Sequence, residues 1–333
     1  MNGLKVNQET TLSTPSFSFQ HSILKFITKS YLLIFLCLLV IVCSFISDKF
    51  LTFNNLSNIL LQNSVISIIA LGQLMVVITG GIDLSVGSIA ALASVLSASL
   101  LGMGVDPIVS IILVMLLMAI AGLGNGLAVT YGKITPFVVT LATLTIYRGL
   151  AYIFQVGSLV TIEDRTFLSI LAGKTIIGGV YTPVIILLIT LGIFIFILRM
   201  TTFGRRLYAI GGNSEAARLA GAPINRDIIT AYAISGALAG LGGLIMTARL
   251  STGSALYAQG YELDVIAAVV VGGASLMGGK GFALNAVLGA FLIGIIRNIL
   301  NLTGVASYPQ MVIQGLIILV AVLLTTLAAR KKA

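Results

Sequence analysis

The sequence predicts an all-α membrane protein, a polytopic bundle of about ten transmembrane helices with both termini in the cytoplasm. Of its 333 residues, 58% are hydrophobic and only 9% are charged, whereas a soluble domain carries about 25% charged residues. Apolar runs close to the ~20 residues that a spanning helix needs recur from Tyr31 to Leu327. These runs are too long and too uniformly apolar for barrel strands, so helices are expected.

The apolar runs divide the chain into an N-terminal tail (1–30), a transmembrane domain (31–328) and a C-terminal tail (329–333). The predicted spans are 31–47, 61–80, 84–102, 108–129, 136–154, 181–198, 228–247, 262–276, 283–302 and 308–328. The first run lacks a following small-residue cleavage site, which favours an uncleaved signal anchor. Two spans are less regular, because the Gly80-Gly81 junction is compatible with a re-entrant turn and the run 262–276 is short.

The positions of Lys and Arg set the predicted topology. With the N-terminus inside, thirteen of these residues lie on the inner side of the layout and four on the outer side. An excess of positive charge marks the cytoplasmic side. Both tails and the long loop 199–227 are therefore predicted to be cytoplasmic. The net charge of +9 reports this topology, and because the charges are spread between apolar runs, no nucleic acid is expected as a partner.

The residue inventory argues against an enzyme. The single histidine lies in the N-terminal tail, and the two cysteines share the first apolar run, so no metal or nucleophilic centre is expected. The stretch Gly278-Gly279-Lys280-Gly281 superficially resembles a phosphate loop, but Ala274 stands where the leading glycine belongs and Gly281 where Ser or Thr belongs. We therefore expect no catalytic residue, no metal and no cofactor bound by this chain.

Polar and ionisable groups at membrane depth are the candidates for a translocation path, because each charged group costs about 2.5–3.5 kcal/mol to insert. The candidates are Gly80, Gly81, Asp83, Ser85, Asn125, Arg148, Glu262 and Asp264. A structural alternative stands beside each one. Arg148 and Arg297 can neutralise Asp83 or another acid, and Asp83 can simply cap the helix that follows it. The acids do not form a relay through the core, which favours uncoupled or externally powered transport.

The inner loop 199–227 is predicted to hold one short helix. Asn213 or Ser214 can cap it, Glu215 lies in its first turn, and Gly221 with Pro223 ends it. A helix of about two turns is too short to persist alone in water. A partner protein is therefore expected to pack on it.

The same loop resembles a known motif. Glu215-Ala216-Ala217-x-x-x-Gly221 is similar to the EAA motif of ABC importer permeases, although the Leu-Pro pair that ends the familiar motif is absent. The stretches 80–88, 140–149, 202–221 and 260–279 resemble segments of the ribose, arabinose and xylose permeases. The resemblance implies a type II importer fold. It also implies that the ATPase docks at Asn213, Glu215, Ala216, Ala217, Arg218 and Gly221.

The resemblance also implies partners, place and cargo. It implies a second permease subunit (identical or paralogous), an ABC ATPase with tandem nucleotide-binding domains that uses ATP and Mg²⁺, and a periplasmic or lipid-anchored sugar-binding protein. The chain is expected to be a multi-pass protein of the bacterial inner membrane. Ribose is the expected cargo, with arabinose, xylose, galactofuranose and autoinducer-2 as alternatives. A secondary transporter or channel is the more remote alternative.

Overall fold

The computed structural model describes residues 17–155, 160–174 and 180–330. The helices are α1 Phe17–Ile46, α2 Phe53–Ile78, α3 Val86–Gly102, α4 Pro107–Thr130, α5 Pro136–Phe154, α6 Arg165–Ala172, α7 Thr182–Met200, α8 Thr202–Gly212, α9 Ser214–Leu219, α10 Ile224–Leu250, α11 Tyr261–Val271, α12 Ala283–Leu302 and α13 Ser307–Arg330. Two short strands, β1 Val160–Thr161 and β2 Thr252–Gly253, pair antiparallel. The all-α prediction is confirmed.

Each predicted span coincides with a helix, namely α1 to α5, α7 and α10 to α13. Within the described residues, six helices (α2, α4, α5, α7, α10 and α12) are long and apolar enough to cross a membrane by length and composition. Shorter apolar stretches lie at 32–46 in α1 and 86–102 in α3. The number of crossings and the side on which each terminus lies stay predictions.

The boundaries of several elements differ from the predicted ones. Helix α1 begins at Phe17 and therefore runs through part of the predicted tail. Helix α11 has only 11 residues, which is about 16 Å at 1.5 Å per residue, roughly half of the hydrocarbon thickness. It ends where Gly273 adopts φ +85°, and the preceding Gly272 lies against α12, since a Cβ there would be 2.5 Å from the carbonyl oxygen of Asn285. The sequence analysis missed α6 and α8, because both are short and only part of each is apolar.

Helices α2 and α10 form the centre of the bundle. Helix α2 is buried continuously from Asn63 to Ile78, and α10 packs against α2, α3 and α4. Helices α4, α5 and α7 keep many large apolar side chains exposed, among them Ile120, Ile153 and Leu188. Lipid is the solvent for these faces, so their exposure costs nothing there.

Glycines permit a close backbone contact between α4 and α10. A Cβ at Gly122 would lie 2.1 Å from the carbonyl oxygen of Tyr232, and one at Gly236 would lie 2.3 Å from that of Met118. Small residues let helix backbones meet in this way in membranes. The spacings Gly122-xxx-Gly126 and Gly236-xxx-Gly240 in the sequence predict a close approach, and the structure confirms it.

Gly122→Ala should lower the thermal unfolding temperature of the detergent-purified protein, because the added methyl group forces α4 away from α10 at a cost of about 1–3 kcal/mol. The matched control is Gly124→Ala on the same helix, where the nearest atom to a new Cβ is the Tyr147 hydroxyl oxygen at 3.8 Å. Equal unfolding temperatures for the two variants would contradict this packing.

Candidate functional site

A break in the helical structure, at residues 79–85, separates α2 from α3. Gly80 adopts φ +83°, which glycine tolerates best. The amide of Gly81 then donates to the carbonyl oxygen of Val76 at 3.0 Å and closes the end of α2. The chain turns back into the protein, and α3 begins at Val86. Four of the path candidates named from the sequence, Gly80, Gly81, Asp83 and Ser85, lie in this break.

Side chains supply the hydrogen bonds that the backbone of the break lacks. Thr140 of α5 donates to the carbonyl oxygen of Ile82 at 3.1 Å. The Gln73 amide, oriented so that both its ends are paired, donates to the carbonyl oxygen of Asp83 and accepts from the Asp83 amide, both at 3.1 Å. Unpaired backbone groups at membrane depth cost several kcal/mol each. These side chains make the break possible there.

Asp83 is the centre of a fully buried polar cluster, hereafter the Asp83 cluster, formed with Ser85, Asn125 and Ser235. Its Oδ1 accepts from the Ser85 amide at 3.0 Å and from the Ser85 hydroxyl at 2.6 Å, and its Oδ2 accepts from the Ser235 hydroxyl at 3.2 Å. Asn125 Nδ2 donates to Ser85 Oγ at 2.8 Å. The cluster therefore joins the start of α3 to α4 and α10.

The geometry of Asp83 is that of a turn-stabilising residue at the start of α3. It accepts from the amide two residues ahead, as Asp often does at helix starts. No cationic side chain is bonded to it in the part of the chain that the structure describes. The sequence analysis allowed Arg148 and Arg297 to neutralise Asp83 or another acid. Arg297 does pair with another acid, Asp264, whereas Arg148 donates to carbonyl oxygens, so neither bonds Asp83.

Arg148 and Glu262 lie together near the short segment that leads into α11. Arg148 Nη1 donates to the carbonyl oxygens of Ala255 at 2.6 Å and Tyr257 at 2.8 Å. One carboxylate oxygen of Glu262 is buried and has no hydrogen-bond partner among the described residues. It fills the space beside Gly87, where a Cβ would lie 2.3 Å from it. Arg148 therefore fixes this segment, while Glu262 packs on the first turn of α3.

Asp264 lies apart from both groups and forms a buried ion pair. Arg297 Nη2 contacts both Asp264 carboxylate oxygens at 2.7 Å, and Gln314 also donates to this carboxylate. The three residues connect α11, α12 and α13. For Asp264 the structure therefore shows the ion pair that the sequence analysis offered as the alternative to a path.

The coupling segment, residues 199–227, contains two helices instead of the single predicted one. Thr201 caps α8 by accepting from the Gly204 amide at 3.1 Å, and Asn213 caps α9 by accepting from the Ala216 amide at 3.0 Å. The C-terminal end of α9 is closed at Gly221, which adopts φ +80°. The predicted cap and stop of the short helix are thus confirmed.

Most of α9 faces outward. Glu215 and Arg218 form an ion pair at 2.5 Å, and each side chain is 65% exposed. Leu219 is 79% exposed, whereas Ala217 is buried against the protein. A charged pair beside an exposed leucine, on a helix anchored by one small residue, presents a surface that a partner can cover.

The sequence analysis missed the ion pair that anchors the coupling segment. Arg206 of α8 makes two hydrogen bonds to Asp227 of α10, at 2.5 and 2.9 Å. The hydrogen bonds from Arg206 to Asp227 raise the pKa of Arg206 above its ordinary value. The two residues are 21 positions apart, and no spacing rule pairs residues across a loop of that length.

The chain is similar to known permeases over most of its length. Residues 55–322 match the family described as branched-chain amino acid transport system / permease component. The chain belongs to this family of permeases. No solved structure matches it.

Curated relatives carry sugar names. The ribose import permease protein RbsC of Bacillus subtilis is 42% identical over 289 residues, which cover 87% of this chain and 90% of that protein. RbsC of Escherichia coli K12 is 42% identical over 90% and 95% of the two chains. The L-arabinose transport system permease protein AraH of Escherichia coli K12 is 37% identical, with 88% of each chain covered. The family resemblance seen in the sequence is confirmed, and the permease is a multi-pass membrane protein.

Asp83→Ala should lower the free energy of unfolding of the permease by at least about 2 kcal/mol, since it leaves buried donors of Ser85 and Ser235 without an acceptor. Asp83→Asn should be much milder, because its remaining carbonyl oxygen still accepts from Ser85. The measurement is unfolding in detergent. The control is Asp106→Ala at the exposed N-cap of α4, where about 1 kcal/mol is expected. If the Asn variant is as unstable as the Ala variant, the charge itself holds the break.

Proposed function

We propose that this permease is the membrane subunit of an ATP-driven importer that carries a monosaccharide, and that the sugar is ribose. The observation that carries the proposal is the 42% identity to ribose import permeases over about nine tenths of the chain. Identity to the arabinose permease AraH and the D-allose permease AlsC is 37%. Those sugars, with xylose, galactofuranose and autoinducer-2, are the alternatives.

The energy for transport is assigned to a partner. A chain with no phosphate loop in its sequence needs a partner to bind ATP and Mg²⁺, and the proposed partner is an ABC ATPase with tandem nucleotide-binding domains. The proposed docking residues are Asn213, Glu215, Ala216, Ala217, Arg218 and Gly221. Support comes from the exposure of α9, whose charged pair and leucine lie outside the bundle.

Two further partners complete the proposed transporter, which lies in the bacterial inner membrane. The first is a second permease, identical or paralogous, so that the sugar passes between two subunits. The second is a periplasmic or lipid-anchored binding protein that delivers the sugar to the end of the bundle opposite α8 and α9. The complete burial of the Asp83 cluster within one chain supports a path between subunits, because a single chain leaves no opening at that cluster.

The path itself is proposed to bind sugar weakly. The polar groups of the Asp83 cluster are fully buried and therefore out of reach of a sugar. Ser85 and Ser235 hydrogen-bond within the cluster, and of the Asn125 amide only Nδ2 is bonded, since Oδ1 has no partner among the described residues. Each new hydrogen bond to a sugar would contribute only about 1 kcal/mol net. Selection of the sugar is therefore assigned to the binding protein.

Glu215→Lys should abolish most ATP-driven ribose uptake and weaken co-purification of the ATPase, because it reverses one charge of the exposed Glu215–Arg218 pair on the proposed docking surface. The amount of permease in the membrane should not change, since the side chain contributes little to the fold. The measurement is ATPase recovered per permease, together with uptake into proteoliposomes that contain all the subunits.

The control for this experiment is Asp48→Lys, the same charge reversal at an exposed residue in the turn between α1 and α2, at the opposite end of the bundle. It should leave ATPase recovery at the wild-type level. Normal ATPase recovery and normal uptake with Glu215→Lys would overturn the docking surface.

A further inference from the structure

Two glycine turns meet the end of helix α8 where the coupling segment reaches the membrane domain. This meeting point, hereafter the glycine junction, consists of Gly80 after α2, Gly211 in α8, and Gly278 with Gly279 before α12. The Gly279 amide donates to the carbonyl oxygen of Ile78 at 2.8 Å. A Cβ at Gly278 would lie 2.8 Å from the Gly211 carbonyl oxygen and 3.0 Å from the Gly80 amide nitrogen. The three backbones are therefore in direct contact.

Gly211 is the most tightly enclosed member of the junction. A Cβ there would lie 1.8 Å from the carbonyl oxygen of Ile78 and 2.5 Å from the Gly279 amide nitrogen. Both atoms belong to backbone and take part in the Gly279–Ile78 hydrogen bond. The next residue, Gly212, has open space around its Cβ position, with no atom within 4 Å. The requirement for glycine is thus specific to one of two adjacent positions.

A side chain of α8 holds the same turn from its other end. The Tyr208 hydroxyl donates to the carbonyl oxygen of Gly281 at 2.7 Å. Burial raises the pKa of Tyr208, so the hydroxyl keeps its proton and remains a donor. Helix α8 therefore contacts the 278–281 turn at both ends.

The junction lies between the coupling segment and the break. Only Asn213 separates α8 from α9, so a displacement of α9 also displaces α8. Gly80 precedes Asp83 by three residues and belongs to the break itself. Backbone packed directly on backbone is less compliant than a contact through flexible side chains, because no rotamer can absorb the displacement.

We propose that the glycine junction transmits displacement of the coupling segment to the break at 79–85, and that Gly211 is a positioning residue for transport. The proposal rests on the proposed ATP-driven function and adds the route by which the energy enters the membrane domain. The Arg206–Asp227 pair is a second connection of α8, but it leads to the start of α10 and not to the break.

The test compares Gly211→Ala with Gly212→Ala in the complete transporter of permease, ATPase and binding protein. Three quantities are measured: ATPase recovered per permease, ATP hydrolysed, and ribose taken up per ATP. Gly212→Ala should match the wild type. Gly211→Ala leaves α9 unchanged, so the variant should still bind the ATPase and hydrolyse ATP. Because the new methyl group displaces α8 from Ile78, ribose uptake per ATP should fall roughly tenfold, which is within the usual range for coupling between sites.

Wild-type ribose uptake per ATP in Gly211→Ala would overturn the proposal. If the Gly211→Ala permease is not found in the membrane, the proposal is tested with Tyr208→Phe, which keeps the aromatic ring and removes only the hydrogen bond to Gly281. It should lower uptake per ATP without lowering ATPase recovery, and an unchanged ratio would overturn the proposal. Failure of the wild-type permease to bind any ATPase is a different result, and it would contradict the proposed function.

Discussion

The structure depends on satisfying the backbone of a helix break inside the membrane domain. The regular helical hydrogen bonding of α2 ends at Thr79 and resumes at Ser85 with α3, and lipid offers no replacement for the backbone groups between them. Gln73 of α2 and Thr140 of α5 bond backbone groups of the break, and the Asp83 carboxylate accepts from the Ser85 amide. Asn125 of α4 and Ser235 of α10 in turn bond the side chains of Ser85 and Asp83. The helices around the break must keep their positions for these bonds to form. The break therefore both separates α2 from α3 and fixes the arrangement of the helices around it.

The structure also depends on glycine at positions where two backbones are in direct contact and leave no room for a side chain. At Gly122 and Gly236 it brings α4 and α10 together, and at Gly211 it brings the coupling segment against the end of α2. The first contact stabilises a helix pair within the membrane domain. The second joins the coupling segment to the break. One residue type thus serves packing in one place and the proposed transmission of movement in the other.

The sequence alone predicted the helices well, since their length and apolarity follow from the thickness of the bilayer. It also predicted a cap at Asn213 or Ser214, of which Asn213 is the one observed, and the stop at Gly221, because both depend on local backbone chemistry. The partners of the buried charges were not predictable in the same way. Arg297 bonds Asp264 and Arg148 bonds two carbonyl oxygens, and these choices depend on how helices distant in sequence pack.

The glycine junction shows the same limit. The pairs Gly80-Gly81 and Gly278-Gly279 are visible in the sequence, yet nothing there indicates that the two turns touch each other and α8. Helix α8 itself was missed, although Phe203, Leu207 and Ile210 have the i, i+4, i+7 spacing of an amphipathic helix. Contacts between turns are set by tertiary structure, and a one-dimensional pattern does not contain them.

Ribose uptake into proteoliposomes most directly tests whether this chain provides a path and takes its energy from a partner. Uptake is measured with the permease alone and with permease, ATPase and binding protein together, each with and without ATP. We expect accumulation only in the complete transporter supplied with ATP. Accumulation of ribose by the permease alone, driven by an ion gradient at a rate comparable to that of the complete transporter, would contradict this and show a secondary transporter.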